Sequence, residues 1–136
     1  MTTPSTISRR PPSKTLLVYD EYTPDFTLTG HEFRTDVTDE VVGDGYFEGG
    51  VDNSGQSVEW TTPDEVVVYH LDPVTYGPVT NLTDVMGAVT YYDNGADHLD
   101  RLIFLHDFVT AASTSNGYFT IWYSTGGAVE ITFTGP

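Results

Sequence analysis

The chain has no cysteine, which removes disulfides and every thiolate metal site from the possible sources of stability. Its 136 residues suffice for one domain that buries roughly 65 to 70% of the surface its unfolded chain exposes, so no covalent staple is required. Also missing are an apolar run long enough to span a bilayer and an opening charged-then-apolar signal. The expectation is a soluble protein without a membrane partner, not exported by the general route. Basic residues are scarce: five Lys and Arg stand against 20 Asp and Glu, for a formal net charge of −15. Nucleic-acid binding normally needs clustered Lys and Arg to release phosphate counterions, so no nucleic-acid partner is expected.

The charge divides unevenly. Residues 1–14 hold Arg9, Arg10 and Lys14 and no acid, a net of +3, whereas the remaining 122 residues carry Arg34 and Arg101 against all 20 acids, a net of −18. The first 13 residues, MTTPSTISRRPPS, contain three prolines and almost no apolar side chains, too little to order a segment by itself. Residues 1–14 are therefore expected to form an extended basic arm and residues 15–136 the folded body. Arg9, Arg10 and Lys14 become the candidate partner-binding residues, suited to carboxylates on a neighbouring surface.

The body reads as strands throughout. Lys14 to Tyr19, Val51 to Glu59, Glu65 to Leu71 and Val85 to Tyr92 are rich in β-branched and aromatic residues, and Pro24, Pro63, Pro73 and Pro78 stand in the gaps. Arg101 to Phe133 reads as an antiparallel meander of three strands. In it Leu102 to Phe108 is apolar on both faces and expected to be central, whereas Val129 to Phe133 alternates with polar residues and is expected nearer an edge. Ser113 to Gly117 and Ser124 to Gly127 hold the turn residues between them. One short helical turn is expected from Thr35 or Asp36 through Glu40, followed by tight turns with positive φ among Gly43, Gly45, Gly49 and Gly50. Gly87 marks a bulge or a close backbone approach. Seven or eight strands without βαβ alternation predict an all-β, antiparallel β-sandwich, Ig-like or jelly-roll-like.

Motifs for chemistry are absent. His31, His70, His98 and His106 are too scattered for a metal motif, and His106, inside an apolar strand, reads as a core or interface residue. There is no G-x-S-x-G elbow, and no pair of carboxylates stands out for glycoside hydrolysis. No catalytic residue, cofactor or metal site is assigned. Asp93 to Asp100 offers oxygen ligands but lacks a complete calcium loop and reads as a hairpin turn in which Asn94-Gly95 supplies positive φ. Asn81-Leu82-Thr83 is a formal glycosylation sequon, meaningful only in a secretory pathway. Tyr46, Phe47, Trp60 and Tyr76 fall in or near expected loops, where exposed aromatics would suit sugar stacking or a partner's pocket; the other reading of them, in a chain with few other apolar residues, is that they fill the core.

Taken in order, Thr27-Leu28-Thr29-Gly30-His31-Glu32-Phe33, Thr35-Asp36-Val37-Thr38-Asp39-Glu40-Val41, Gly43-Asp44-Gly45-Tyr46 and Gly49-Gly50 resemble a segment of a family of small structural proteins of tailed bacteriophages. Ala88 to Asp93, Leu102 to Phe108 and Ser115 to Ile121 are similar to downstream strands of the same family, so the resemblance runs from about Thr23 to Phe133. One departure is that Val79 to Asp84 lacks a tryptophan usual there. The resemblance implies a virion component without enzymatic activity, a capsid decoration (cement) protein or a minor head or tail component. A decoration protein implies the major capsid protein as partner, a homo-oligomer with a trimer suited by analogy, and a place on the outer capsid surface after assembly in the host cytoplasm. The other reading is a tail or head-fibre component that binds glycans.

Overall fold

The computed structural model describes residues 5–7, 12–25, 27, 29–61, 66–123 and 129–132. Their strands are β1 (Ser5–Ile7), β2 (Ser13–Val18), β3 (Val51–Asp52), β4 (Ser57–Thr61), β5 (Val66–His70), β6 (Val74–Tyr92), β7 (Leu102–Ile121) and β8 (Val129–Thr132), with single 3₁₀ turns at Arg34–Asp36 and Asp97–Leu99. All pairings between them are antiparallel. They form two four-stranded sheets, ordered β3-β2-β6-β7 and β1-β4-β5-β8. The protein is an all-β antiparallel sandwich. Tyr69 of β5 meets Phe104 of β7 edge-on, with ring centroids 5.7 Å apart, where the sheets touch.

Where β2 pairs with the end of β6 the first sheet is buried on both faces, because residues 16–18 and 87–89 lack the polar alternation of a half-exposed strand. Leu17 lies opposite Ala88, whereas Leu16 lies opposite Val89, and successive side chains of a strand point to opposite faces. Leu17 and Ala88 join Val74, Tyr76, Leu82, Val85, Phe119 and Ile121 in the larger core. Leu16, Val18, Val89 and Tyr91 form a second core on the other face, closed by Tyr22 and Val37. Residues 19–50 wrap the sheet as a cover: Tyr22 and Val37 lie on that face, whereas Val41 and Tyr46 pack into the larger core.

Several expectations need correction. Ser113 to Gly117 is not a turn: β7 is one strand of 20 residues paired with the 19-residue β6. Residues of turn type instead mend the irregular ladder. Thr80 Oγ1 lies 2.7 Å from Thr114 Oγ1 and donates to the Gly117 carbonyl, Ser113 Oγ accepts the Asp84 N–H, and Asn81 Oδ1 accepts the Asn116 N–H. Val109 and Asn116, at φ 67° and 55°, mark irregular points of β7. Nor is Leu102 to Phe108 central, since β7 is the last strand of its sheet; β8 is an edge strand, as its pattern predicts. The run from Val51 to Glu59 divides into β3 and β4, and Pro78 lies within β6. The 3₁₀ turn falls at Arg34–Asp36, before the expected position, because the Asp36 carboxylate accepts the Glu32 and Phe33 N–H groups.

The N terminus also differs from expectation. Ser13 and Lys14 already belong to β2, and Ser5–Ile7 pairs with β4, so the boundary at residue 14 falls inside a strand and part of the arm is an edge strand. Other expectations hold. Gly45, Gly49 and Gly50 have positive φ, and a Cβ on Gly87 would lie 2.9 Å from the His106 carbonyl oxygen. A hairpin does join β6 to β7, although only Gly95, at φ 97°, supplies a positive angle there.

Candidate partner-binding surface

The cover formed by residues 19–50 contains the first part of the resemblance, residues 27–50, and is held by its polar side chains. The Tyr46 hydroxyl donates to Glu40 at 2.5 Å and accepts the Leu17 N–H at 3.0 Å, and the Gly49 N–H donates to the same Glu40 oxygen at 2.7 Å. The Tyr91 hydroxyl, from β6, donates to the Gly49 carbonyl at 2.6 Å. Arg34 lies over the Tyr91 ring, 5.5 Å from its centroid, and its Nη2 is 3.8 Å from Glu48. Backbone bonds complete the attachment: Tyr19 N–H to Asp39, Val41 N–H to Leu17 and Arg34 N–H to Asp100. Arg101 pairs with Glu32 and stacks over Phe33. Burial pushes the Tyr46, Tyr76 and Tyr91 hydroxyls well above their ordinary range, so they act as fixed neutral hydrogen-bonding groups, unsuited to acid–base work.

Asp36 links this cover to pH. Accepting the Glu32 and Phe33 N–H groups holds its carboxyl below the ordinary 3.8. A depressed folded-state value means that the contribution is present above the unfolded value and lost as pH falls through the folded one. Thermal midpoints measured from pH 6 to pH 2 are therefore expected to fall below pH 3.8, and Asp36→Asn should flatten part of that fall. A slope identical to the parent's would show that these two N–H bonds do not couple to folding.

The sequence-predicted site residues are not brought together. Lys14 sits on β2 with Nζ 3.8 Å from Asp52 and 3.9 Å from Asp93, so it serves its own body; Arg9 and Arg10 lie outside the described residues. Tyr46 and Tyr76 are not exposed loop aromatics. They are buried, at 8% and 1% exposure, their rings 5.6 Å apart, and the Tyr76 hydroxyl donates to the Thr15 carbonyl at 2.5 Å. Trp60 lies in β4, its side chain outside those described. His106 packs between Phe104 and Tyr123, each ring centroid 4.8 Å away.

Of the aromatics that the sequence places in or near loops, Phe47 does face solvent, together with other apolar residues. Phe47, Tyr118 and Trp122 are 79%, 64% and 77% exposed, and Val42, Val79, Leu99 and Val109 are exposed beside them in composition though not in place. The alternation Tyr118-Phe119-Thr120-Ile121-Trp122 contains this signal, for Phe119 and Ile121 are buried and their neighbours point away. A shallow depression of about 710 Å³ is bordered by Asp20, Glu21, Asp39 and Asp84 with Tyr19 and Met86. Among the described residues no group of three His, Asp or Glu is placed to hold a metal ion. In the 93–100 hairpin, Asp93 and Asp100 accept the Gly95 and Asn94 N–H groups, which gives both carboxylates a part in shaping the turn. The arrangement is an acidic body with Phe47, Tyr118 and Trp122 displayed on it. Compared with known proteins, the chain matches no family model, no curated protein and no solved structure.

Proposed function

We propose that this protein is a non-enzymatic structural component of a tailed-phage virion, a capsid decoration protein that binds the outside of the major capsid protein lattice. The observation that carries the reading is how the resembling segment is used. Tyr46 and Gly49 bond to Leu17 and Tyr91 of the first sheet, Glu40 holds both and bridges to Val18, and Asp36 shapes the turn within the cover, a structural use that fits a family of structural proteins. The acidic body suits an external position, since a net charge of −15 favours solubility at high local concentration and avoids DNA. Many repeated weak contacts on a lattice, some made by Arg9 and Arg10, would supply attachment. No cofactor is involved in this reading.

Purified protein mixed with separated heads and tails of the phage that encodes it, then sedimented, is expected to remain on heads in lattice-scale copy number. Retention on tails alone, or a few copies per head, would overturn decoration. Reversing the arm charge with Arg9→Glu and Arg10→Glu should lower head occupancy several-fold while leaving the thermal midpoint in place. A second reading, a tail or head-fibre component that binds glycans, is favoured by the exposure of Phe47, Tyr118 and Trp122, and binding on a glycan array lost in Trp122→Ala would establish it.

A further inference from the structure

We infer that two copies of this chain associate by antiparallel pairing of the free edge of β7 with the same edge of a second copy. Among the described residues only the beginning of that edge is occupied: the Leu102 N–H donates to the Glu32 carbonyl, and Arg101 bridges to Phe33. From Asp107 to Ile121 no described residue pairs with β7 on the side away from β6. Sheet edges are normally protected by shortness, proline or lysine. Shortness, proline and lysine are all absent from this one, for β7 is 20 residues long and contains neither Pro nor Lys, and its protective irregularity is the positive-φ backbone at Val109 and Asn116.

Charge identifies the occupant. Residues 102–129 contain one charged side chain, Asp107, in 28 residues, while the other 19 acids lie elsewhere. Two chains that each carry −15 repel wherever their acidic surfaces meet; the acidic depression borders β7 at Ala111, and antiparallel pairing over 107–121 sets the two Ala111 positions six residues apart along the strands, about 20 Å, so that the β7 edges meet without carboxylate directly opposing carboxylate. Direction follows from Asp107 itself. Parallel pairing in register would set the two Asp107 side chains side by side. Antiparallel pairing over 107–121 sets them at opposite ends, about 45 Å apart at roughly 3.3 Å per residue, well beyond a Debye length of about 10 Å. Apolar surface agrees with this placement. Of the seven exposed large apolar residues among those described, Leu99, Val109, Tyr118 and Trp122 lie on β7 or within three residues of its ends. An edge paired with itself is isologous, the commonest arrangement of homo-oligomers. It gives a twofold dimer in place of the trimer suggested by analogy, and it needs no capsid, so its test is separate from that of the decoration reading.

Sedimentation velocity of the full chain from about 1 to 100 μM is expected to show a species of twice 15.0 kDa, and higher salt should strengthen it by screening the repulsion. Val109→Asp with Ala111→Asp, both at exposed positions of β7, should raise the dissociation constant at least tenfold. The charge-matched pair Val42→Asp with Phe47→Asp, in the cover, should leave it unchanged. Circular dichroism checks that each variant folds. Independently of any variant, amide exchange of the parent protein should slow across 107–121 as concentration rises. A monomer throughout, a trimer or larger ring, a dimer that survives the β7 aspartates or is equally lost with the cover aspartates, or concentration-independent exchange at 107–121 would each overturn the proposal.

Discussion

Tyr76→Ala is expected to destabilise the protein by about 4 kcal/mol, in the range of large aromatic truncations in a close-packed core, whereas Tyr76→Phe should cost only about 1 kcal/mol, the net value of one hydrogen bond. Tyr76 is 1% exposed and packs against Tyr46 and Phe119, with centroids 5.6 Å and 6.1 Å away. Its ring fills the centre of the larger core, and its hydroxyl reaches the Thr15 carbonyl of β2. The alanine variant loses the ring and leaves a cavity that neighbouring strands cannot close without moving the ladder. The phenylalanine variant keeps the packing and loses only the bond. Chemical denaturation of both variants gives the comparison. Equal costs would mean that the hydroxyl, and not the ring, is the important part, and a negligible cost for alanine would return Tyr76 to the surface.

Gly50→Ala should be of similar severity, above about 3 kcal/mol, for a different reason. Gly50 has φ 80°, and a Cβ there would collide with the Thr15 carbonyl oxygen and lie 2.5 Å from its carbon and 2.8 Å from Leu16 Cα. Those atoms are the backbone of β2, which is held between β3 and β6 and has no rotamer with which to give way. The left-handed conformation alone costs an L-residue roughly 1–2 kcal/mol; the collision adds the rest. Gly95→Ala supplies the control, because Gly95 is also left-handed, at φ 97°, but has nothing within 4 Å of its would-be Cβ. It should lose only the conformational part. Thermal midpoints should separate the two variants clearly, with a fall on the order of 10 °C for Gly50→Ala at a few degrees per kcal/mol for a domain of this size. Similar midpoints would show that the cover can lift from β2 at little cost.

The dependence of both variants on β2 shows where sequence and structure part. Residues 14–19 announce a strand by composition, and Gly45, Gly49 and Gly50 announce positive φ by their spacing; each is a local property, decided by sterics within a few residues. The same holds for the hairpin at Gly95 and for the all-β class. The extent of β6 and β7 was not legible, because Ser113, Thr114, Asn116 and Gly117 have the composition of a turn. They lie in a strand only because the distant Thr80, Asn81 and Asp84 present the groups that their side chains and carbonyls satisfy. Tyr46 and Tyr76 sit beside glycine and proline and so look like loop residues, yet the tertiary partners Glu40, Leu17 and Thr15 draw both hydroxyls inward.

By itself the sequence determined the strand-forming segments, the positions that demand glycine, the acidic body and the absence of covalent staples, since these follow from side-chain chemistry and short-range sterics. Only the tertiary structure decided which strands are edges, which aromatics are buried and which are displayed, and that residues 19–50 supply side chains to both cores. Those outcomes depend on the register between segments up to 75 residues apart, such as Thr15 and Thr90, and a one-residue change of register would turn every side chain of a strand to its other face.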